Sequence, residues 1–310
     1  MSVTKNRNPI TCSMGIMAHN EEANVGRLLQ ALVSQRTGTA VLTEIVVVAS
    51  GCTDKTESIV QSWAERDARI RLITQPRREG KAAAVNRFLA ESREQVLLLC
   101  SADLLPEAES IERIVAPFAD SAIGMTTCRP VPVNNPNTFM GFVAHLLWGL
   151  HHQINLKDFK AGEMIAFRKI FQRIPYGTPV DEASIEPAIR NAGYGVCYVP
   201  TAIVHNKGPE TLSDFLKQRR RIYAGHLALR DTAGYTVSTM KGSRILGLVL
   251  RTLDWHPRRF LWTWAVALLE VYGRFLGWCD YGQRLDHSIW EMAETTKGLE
   301  PELSTEQLAA

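Results

Sequence analysis

The chain has 310 residues, of which 45% are hydrophobic and 22% are charged, a composition typical of globular proteins. This length is enough for one large α/β domain with an appendage, or for two modest domains. The net charge of +3 is too small to indicate a nucleic-acid partner, and the six cysteines show neither a CxxC pair nor a zinc-spaced cluster with histidine.

Short apolar runs alternate with amphipathic runs in the first hundred residues. The predicted strands are 11–18, 44–49, 70–74 and 95–100, and the predicted helices between them are 23–34, 55–67 and 81–92. In the first helix, Val25, Leu28, Leu29 and Leu32 fall on one face, the spacing of a helix that packs on a sheet. This alternation indicates βαβ units, and therefore an α/β fold with a doubly wound, mostly parallel sheet.

Polar, turn-forming segments follow three of these predicted strands. They are HNEE at 19–22, SGCTD at 50–54 and SAD at 101–103. In an open parallel sheet, ligands bind beyond the carboxyl ends of the strands. The three segments are therefore predicted to converge on one crevice.

The pattern is looser in the second half of the chain. It predicts a strand at 123–132, a helix at 140–153 and a short strand or helix start within 160–168. A helix at 181–192, strands at 195–200 and 202–205, and a strongly basic helix at 212–230 follow. Residues 241–295 read as helical and rich in tryptophan. We therefore predict a first domain at 1–235 and a C-terminal helical appendage at 236–310.

Six segments together resemble a known family. They are GIMAHNEEANVGRLL, EIVVVASGCTDKT, REGKAAAVN, LLLCSADLLP, the helix that begins DEASIE, and QRRRI. Their order and spacing over residues 10–230 are similar to those of family-2 glycosyltransferases, which have the GT-A fold. The resemblance implies an inverting enzyme that transfers a hexosyl group from a nucleoside-diphosphate sugar, with 1–235 as its catalytic domain.

The resemblance also implies which residues bind the donor. Glu21 is implied to contact the nucleotide. Alternatively, Asn20 caps the next helix, and Glu21 and Glu22 favour the dipole at its N-terminus. Asp54 either contacts the nucleotide or caps the helix after it, and Lys81 at a helix N-terminus suits a diphosphate or is an ordinary surface lysine. The implied donor-binding residues are Glu21, Asp54, Lys81, Asn86, Ser101, Gln218 and Arg221.

A divalent metal is expected at the end of the fourth predicted strand. The family has Asp-x-Asp at this place, where the present chain has Ser101-Ala102-Asp103, so one carboxylate is missing. Magnesium needs only one or two carboxylates together with phosphate and water, so we expect Mg²⁺ or Mn²⁺ at Asp103. His205 is either an additional ligand or a structural histidine at the end of a strand.

The expected catalytic base lies at the start of the helix at 181–192. Inverting transfer needs a carboxylate that takes the proton from the acceptor hydroxyl. The family has Glu-Asp here, whereas this chain has Asp181-Glu182, so the register favours Glu182 as the base and leaves Asp181 as the alternative. Two acids at a helix N-terminus are also common for electrostatic reasons alone.

The QRRRI segment resembles the Q-x-x-R-W motif of membrane-associated members of the family. Gln218 and Arg221 lie three residues apart, on one helical face, where Arg221 suits the leaving diphosphate. Ile222 stands in place of the tryptophan, which puts polymer-forming activity in doubt. Gly162, Glu163 and Trp148 are expected to border the acceptor, although core packing is an alternative for Trp148.

Cationic side chains accompany Trp-rich apolar sequence between 241 and 278. This pattern is typical of an interfacial helix on an anionic membrane, while a helical cap or a dimer interface are alternatives. The apolar run at 260–269 is short for a membrane span, and widening it to 278 brings in two charged residues. Because no signal peptide is evident at the N-terminus, we expect the protein in the cytoplasm, at the inner face of the cell membrane.

These observations predict a metal-assisted inverting glycosyltransferase that acts on a lipid, lipid-linked or glycan acceptor. The first alternative is a catalytically weak scaffold subunit that binds nucleotide sugars, suggested by the replaced residues of the motifs. A nucleotidyltransferase is the second, but HNEEANVGR supplies no Gly-rich signature loop.

Overall fold

A computed structural model describes residues 9–176, 181–240, 242–285, 294–296 and 298. Eight strands and nine α-helices occur in these ranges. The strands are β1 (Ile10–Ala18), β2 (Ala40–Ser50), β3 (Ile70–Gln75), β4 (Val96–Ser101), β5 (Leu105–Pro106), β6 (Ile123–Pro132), β7 (Ile165–Arg168) and β8 (Gly195–Asn206). The helices are α1 (Val25–Val33), α2 (Thr56–Ala64), α3 (Lys81–Glu91), α4 (Ser110–Val115), α5 (Phe139–Asn155), α6 (Asp181–Asn191), α7 (Leu212–Ala233), α8 (Gly242–Arg251) and α9 (Pro257–Gly282).

The strands of the described chain form one mixed sheet in the order β3–β2–β1–β4–β7–β6–β8–β5. Strands β1 to β4 are mutually parallel, as are β6 and β8, whereas β7 runs antiparallel to β4 and β6, and β5 to β8. In the register, Ala18 lies beside Ala49 and Met17 beside Ser101. The carboxyl ends of the first, second and fourth strands therefore meet at one edge.

Helices cover both faces of the sheet. Helix α1 buries Val25, Leu28, Leu29 and Leu32 in a cluster that also contains side chains of α2 and α4. On the opposite face, α3 contributes Phe88 and α6 contributes Ile185 to a second cluster. The two clusters confirm the predicted doubly wound α/β class, because each face of the sheet has its own apolar layer.

Strand β8 corrects one sequence-based assignment. The predicted strands at 195–200 and 202–205 are a single strand, Gly195–Asn206. Its pairing with β6 is interrupted after Tyr198 and resumes at Ile203. Pro200 lies in this interval, and proline has no N–H to donate to a ladder, which explains why the sequence reads as two strands.

Helix α9 packs against α7 at close range. A Cβ atom at Gly277 would lie 2.6 Å from the backbone oxygen of Arg220, so only glycine permits this approach. The Arg220 guanidinium donates to both carboxylate oxygens of Asp280 over 2.7 and 2.9 Å. The sequence boundary at 235 divides this helix pair, and the two-domain division stays a prediction.

The stretch 260–278 lies within α9, which begins at Pro257 and ends at Gly282. In the described ranges, no helix combines the length and the apolar character that crossing a membrane requires. Six side chains of α9 at alternating spacings of three and four residues are nevertheless solvent-exposed: Leu261, Trp264, Leu268, Val271, Phe275 and Trp278. We call these six residues the α9 stripe.

Candidate functional site

A cavity of about 750 Å³ lies at the carboxyl edge of the sheet. Residues that follow three strands line it, among them Glu21 after β1, Ser50 at the end of β2, and Asp103 after β4. The crevice predicted from the strand ends is therefore present. Helices α5 and α7 supply the facing walls, with Trp148 and Arg221 among their lining residues.

Hydrogen bonds between loops hold the β1 end of the cavity. Asn20 adopts a left-handed conformation with φ of 51°, and its Oδ1 accepts from the Thr53 amide over 2.8 Å. His19 Nδ1 lies 2.6 Å from the Ser50 carbonyl oxygen. Thr56 Oγ1 accepts from the Glu21 amide over 2.7 Å. These contacts fix the backbone of Glu21 at the cavity wall, and Asn20 joins two loops instead of capping α1.

A glycine brings the third loop to the same wall. Gly51 has a φ of 59°, and a Cβ atom there would lie 2.6 Å from the Arg78 amide nitrogen. The loop before α3 therefore lies directly against the loop after β2. Arg78 and Lys81 line the cavity as a result, and desolvation lowers the pKa of the Arg78 guanidinium. Sequence reasoning missed Arg78, although it is only three residues before Lys81.

Nine of the residues predicted from the sequence line this cavity together. They are Glu21, Lys81, Ser101, Asp103, Trp148, Gly162, Glu163, Gln218 and Arg221. The helix α6 begins at Asp181, but the side chains of Asp181 and Glu182 lie outside the described residues. Ala183 and Glu186, within the first two turns of α6, line the cavity. The start of α6 is therefore close to the other predicted site residues.

Two predicted donor-binding residues have structural partners and do not line the cavity. Asn86 is buried, and its side-chain amide donates to the Ile174 carbonyl over 3.0 Å and accepts from the Ile174 amide over 2.7 Å. Asp54 accepts from the Glu22 amide over 3.0 Å and from the Thr56 amide over 3.0 Å. The expectation that Asn86 lines the cleft is therefore not met, and Asp54 joins the first residue of α2 to the first loop.

Adjacent residues at the end of β8 face opposite ways. His205 does not line the cavity, and its Nε2 lies 3.2 Å from Glu107 Oε1. Asn206 does line it, because successive side chains of a strand alternate between the two faces. The Asn206 Oδ1 is buried and has no hydrogen-bond partner among the described residues. The residue at the end of β8 that lines the cavity is therefore Asn206, which the sequence did not indicate.

The residues suited to a divalent cation are few. Within the described ranges, no group of three or more His, Cys, Asp or Glu side chains is arranged to hold a metal. Asp103 and Asn206 both line the cavity and offer hard oxygen donors. A cation with these two protein ligands would need the oxygens of a bound diphosphate to complete its coordination.

Cationic side chains outnumber acidic ones among the residues that line the cavity. Eight Lys and Arg residues but five Asp and Glu residues line it in the described part of the chain. Two lining histidines, His151 and His226, are buried, and burial is the largest cause that lowers their pKa values, for His226 to about 3. Both are therefore neutral at physiological pH. Three of the lining cations have carboxylate partners that do not line the cavity, Arg219 with Glu270, Arg220 with Asp280 and Lys207 with Glu210. The cationic side chains of the wall suit an anionic ligand such as a diphosphate.

Glu186 is a buried carboxyl group that sequence reasoning also missed. Its Oε1 accepts from Arg190 Nε over 2.8 Å, and its pKa is raised because burial outweighs the hydrogen bonds to Tyr235 and Arg190. It lines the cavity one helical turn after Glu182. The i, i+4 spacing places these two positions on the same face of α6.

Sequences similar to this chain include proteins named as glycosyltransferases. The chain is 28% identical over 232 residues to the probable glycosyltransferase YdaM of Bacillus subtilis, covering 69% of this chain and 54% of YdaM. It is 37% identical over 71 residues to the dolichyl-phosphate β-glucosyltransferase ALG5C of Trichomonas vaginalis, covering 23% of this chain and 21% of that protein. The chain thus spans about half the length of YdaM and less of ALG5C.

Solved structures share the fold at low sequence identity. The mannosyltransferase PcManGT from Pyrobaculum calidifontis, in complex with GDP-Man and Mn²⁺, matches with a TM-score of 0.57 and 20% identity, over 96% of this chain and 89% of that one. Glucosyl-3-phosphoglycerate synthase from Mycobacterium tuberculosis, in complex with Mn²⁺, UDP and glucosyl-3-phosphoglycerate, matches with a TM-score of 0.51 and 19% identity, over 74% and 82%. The fold is therefore that of GT-A glycosyltransferases.

The family model of glycosyl transferase family 2 matches residues 13–179. This match contains most of β1, all of β2 to β4 and the segments that hold Glu21, Lys81 and Asp103. More than half of the chain is covered, and the covered part contains most of the sheet edge at the cavity. The chain therefore belongs to glycosyl transferase family 2.

Proposed function

We propose that this protein is an inverting glycosyltransferase that moves a hexosyl group from a nucleoside-diphosphate sugar to a lipid, lipid-linked or glycan acceptor. The observation that carries the proposal is the cavity at the carboxyl edge of the sheet, which brings Glu21, Lys81 and Asp103 together opposite Arg221. Solved proteins with this fold bind GDP-Man or UDP-Glc together with Mn²⁺, which supports the same donor class here.

The donor subsite follows from the charges along the sheet edge. The Glu21 carboxylate can accept hydrogen bonds from a ribose hydroxyl or a base N–H. Lys81 opens α3, where the helix N-terminus and the ammonium group both favour the diphosphate. Arg221 on the facing helix can bind the same diphosphate as it leaves, and guanidinium–phosphate contacts are strong because they are charge-assisted and bidentate.

Asp103 and Asn206 are the residues that we expect to hold Mg²⁺ or Mn²⁺. The fit rests on Asn206, which lines the same cavity as Asp103 and whose buried Oδ1 has no hydrogen-bond partner among the described residues. When bound, the cation would neutralise charge that develops on the leaving diphosphate. Solved neighbours contain Mn²⁺ or Mg²⁺ in complexes with UDP.

We propose Glu182 as the base that takes the proton from the attacking hydroxyl, with Asp181 as the alternative. The support is the position of Glu182 one turn before the cavity-lining Glu186 on α6. Gly162, Glu163 and Trp148 line the same cavity and are proposed to contact the acceptor.

The test is a donor screen. Purified protein is given UDP- and GDP-linked hexoses with Mg²⁺ or Mn²⁺, and both nucleotide binding and nucleoside diphosphate release are measured. We expect metal-dependent binding of one nucleotide and slow hydrolysis of the matching sugar donor. Absence of both binding and turnover for every donor would contradict the proposal.

A scaffold protein that binds nucleotide sugars without transfer is the second candidate. It is favoured by the single carboxylate of Ser101-Ala102-Asp103 and by the lack of a three-ligand cluster in the described ranges. It predicts tight nucleotide binding in the same screen, but no hydrolysis and no transfer.

We further propose that the α9 stripe binds an anionic membrane at the cytoplasmic face of the cell. Trp264 and Trp278 are partly exposed along it, and Arg251 and Arg259 are exposed near its N-terminal end. Apolar side chains beside tryptophan and arginine are typical of helices that lie in the headgroup region. The stripe belongs to the helix that packs on α7, so it would place the cavity near the lipid surface.

Replacing Leu268 and Val271 together with glutamate is expected to lower vesicle binding at least tenfold. Each side chain loses about 1.5 kcal/mol or more of apolar burial and adds repulsion from anionic lipid. Flotation with phosphatidylglycerol-containing vesicles measures the bound fraction. Leu156→Glu is the matched control, because Leu156 is exposed but lies outside the stripe. A dimer that the double variant dissociates, with no vesicle binding by the parent protein, would contradict the membrane proposal.

A further inference from the structure

Lys160 is a charged residue of the cavity that the donor-binding scheme does not use. It follows α5 and lines the cavity beside Gly162. Its backbone amide donates to Asn155 Oδ1 over 2.8 Å, which fixes the backbone position. The ammonium group has no hydrogen bond or ion pair among the residues that the structure describes. The Lys160 ammonium group therefore lies at the cavity wall with no carboxylate of the described residues in contact with it.

A second cation, Arg219 of α7, is held in place from behind by α9. Its Nη1 lies 3.3 Å from Glu270 Oε1, and the same carboxylate lies 3.5 Å from Arg274 Nε. The Glu270 carboxylate thus forms ion pairs with both Arg219 and Arg274. The Arg219 Nε is buried and has no hydrogen-bond partner within the described chain. Arg219 also lines the cavity, with its Nη1 paired to Glu270 and its Nη2 lying 3.5 Å from Gln218 Oε1.

The charges around Lys160 do not cancel. The charged side chains that influence the pKa of Lys160 are Arg219, Arg274, Glu270 and Glu163. The two neighbouring histidines are His151 and His226. Both histidines are neutral, so three cations face two carboxylates. The members of this cluster come from the α5–β7 loop, α7 and α9, and one of them, Glu163, also accepts from Asn206 Nδ2 at the end of β8 over 3.4 Å.

The wall next to this cluster is apolar. Met140, Val143 and Leu147, one face of α5, line the cavity, and Phe215 lines it from α7. A ligand bound there would therefore meet cations at one end and aliphatic side chains beside it. An excess of positive charge in a partly buried place favours an anion that can accept several charge-assisted hydrogen bonds.

We propose that Lys160 and Arg219 form a second anion subsite, which binds the phosphate monoester group of the acceptor. This inference rests on the proposed function and names the acceptor class for it. A phosphate monoester carries nearly two negative charges near neutral pH and three acceptor oxygens, which matches one ammonium and one guanidinium group from different elements. Glu270 is then a positioning residue that orients Arg219.

The pH dependence of this subsite follows from Lys160. Burial, followed by the charge of Arg219, lowers the pKa of Lys160 to about 8. The ammonium is charged below that pH and becomes neutral above it. Phosphate monoesters are already dianionic above pH 7, so affinity for them is expected to fall between pH 7 and pH 9.

The experiment compares phosphate esters with matched neutral compounds. Farnesyl phosphate and farnesol form the lipid arm, and glycerol 3-phosphate and glycerol form the soluble arm. Binding of each compound, and of UDP and GDP, is measured on the full chain by calorimetry. We expect the phosphate of at least one arm to bind about tenfold or more tightly than its neutral partner, and the arm that does so identifies the source of the phosphate.

Two variants assign the effect to Lys160. Lys160→Met is expected to weaken binding of the phosphate ester about ten- to a hundredfold, with nucleotide affinity unchanged, whereas Lys160→Arg retains most of it. Lys157→Met is the control, because Lys157 is exposed and does not line this cavity. The affinity of Lys160→Arg is also expected to stay level from pH 7 to pH 9.

Two results would overturn the subsite. One is equal binding of phosphate and neutral compounds in both arms while a nucleotide still binds, which leaves the proposed function intact. The other is a loss of nucleotide affinity in Lys160→Met as large as the loss of ester affinity, which would assign Lys160 to the donor. Ester binding that depends on Lys160 without any nucleotide binding would support the subsite and contradict the proposed function.

Discussion

Asp103→Asn is expected to lower kcat/KM for the donor by about a hundred- to a thousandfold, the size of effect seen when one preorganised electrostatic contact to a transition state is lost. Asp103 is the carboxylate at the end of β4 that lines the cavity, and Ser101 stands where the family has another acid. An amide carries no charge and binds Mg²⁺ or Mn²⁺ weakly, so the cation would no longer be held against the diphosphate.

The measurement pairs nucleotide binding with turnover. Metal-dependent binding of the nucleoside diphosphate is expected to disappear in Asp103→Asn, while the weaker metal-independent binding remains. Asp120→Asn is the matched control, since Asp120 is exposed and outside the cavity, and its hydrogen bond to the Ala122 amide can be made by asparagine. Full metal dependence and activity in Asp103→Asn would show that the cation is held elsewhere.

Glu182→Gln is expected to lower kcat by about a hundred- to ten-thousandfold, the contribution usual for general base catalysis. The donor KM is expected to change little, because the base acts on the acceptor hydroxyl and not on the nucleotide. Asp181→Asn should have the smaller effect of the two. Single-turnover transfer, together with the anomeric configuration of the product by NMR, measures both the rate and the inversion.

Glu186→Gln separates a catalytic role from a structural one. Glu186 shares the helix face of Glu182, but its carboxylate is engaged by Arg190 at 2.8 Å and is almost fully buried. We therefore expect Glu186→Gln to lower thermal stability more than kcat. If instead Glu182→Gln keeps its rate and Glu186→Gln or Asp181→Asn loses it, the base assignment is wrong.

The sequence predicted much of the first sheet half because its signals are local. Predicted strands at 11–18 and 70–74 differ from β1 (Ile10–Ala18) and β3 (Ile70–Gln75) by one residue. Apolar side chains at helical and strand spacing report burial directly, and the polar strand ends marked the cavity edge. The prediction was less accurate at β8. Two strands were predicted there, but β8 is one continuous strand in which Pro200 interrupts the pairing with β6.

The individual site residues were less predictable. Asn86 and Asp54 lie in segments that were predicted to border the cavity, but neither lines it. Asn86 is hydrogen-bonded to the backbone of Ile174, and Asp54 to the amides of Glu22 and Thr56. At the end of β8, a one-residue step exchanges His205 for Asn206 at the cavity, since neighbouring side chains in a strand point to opposite faces. A motif match does not indicate to which face of the sheet the side chain of a flanking residue points.

By itself, the sequence determined the α/β class, the family resemblance and the edge of the sheet where chemistry is expected, because these depend on periodicity and on motifs a few residues long. The tertiary structure decided which charges remain uncompensated. Glu270 on α9 binds Arg219 on α7, while Lys160 has cations and carboxylates around it in unequal number. The balance of positive and negative charge around a side chain depends on residues that are distant in the chain. Only folding brings these residues within the range of Coulomb interaction.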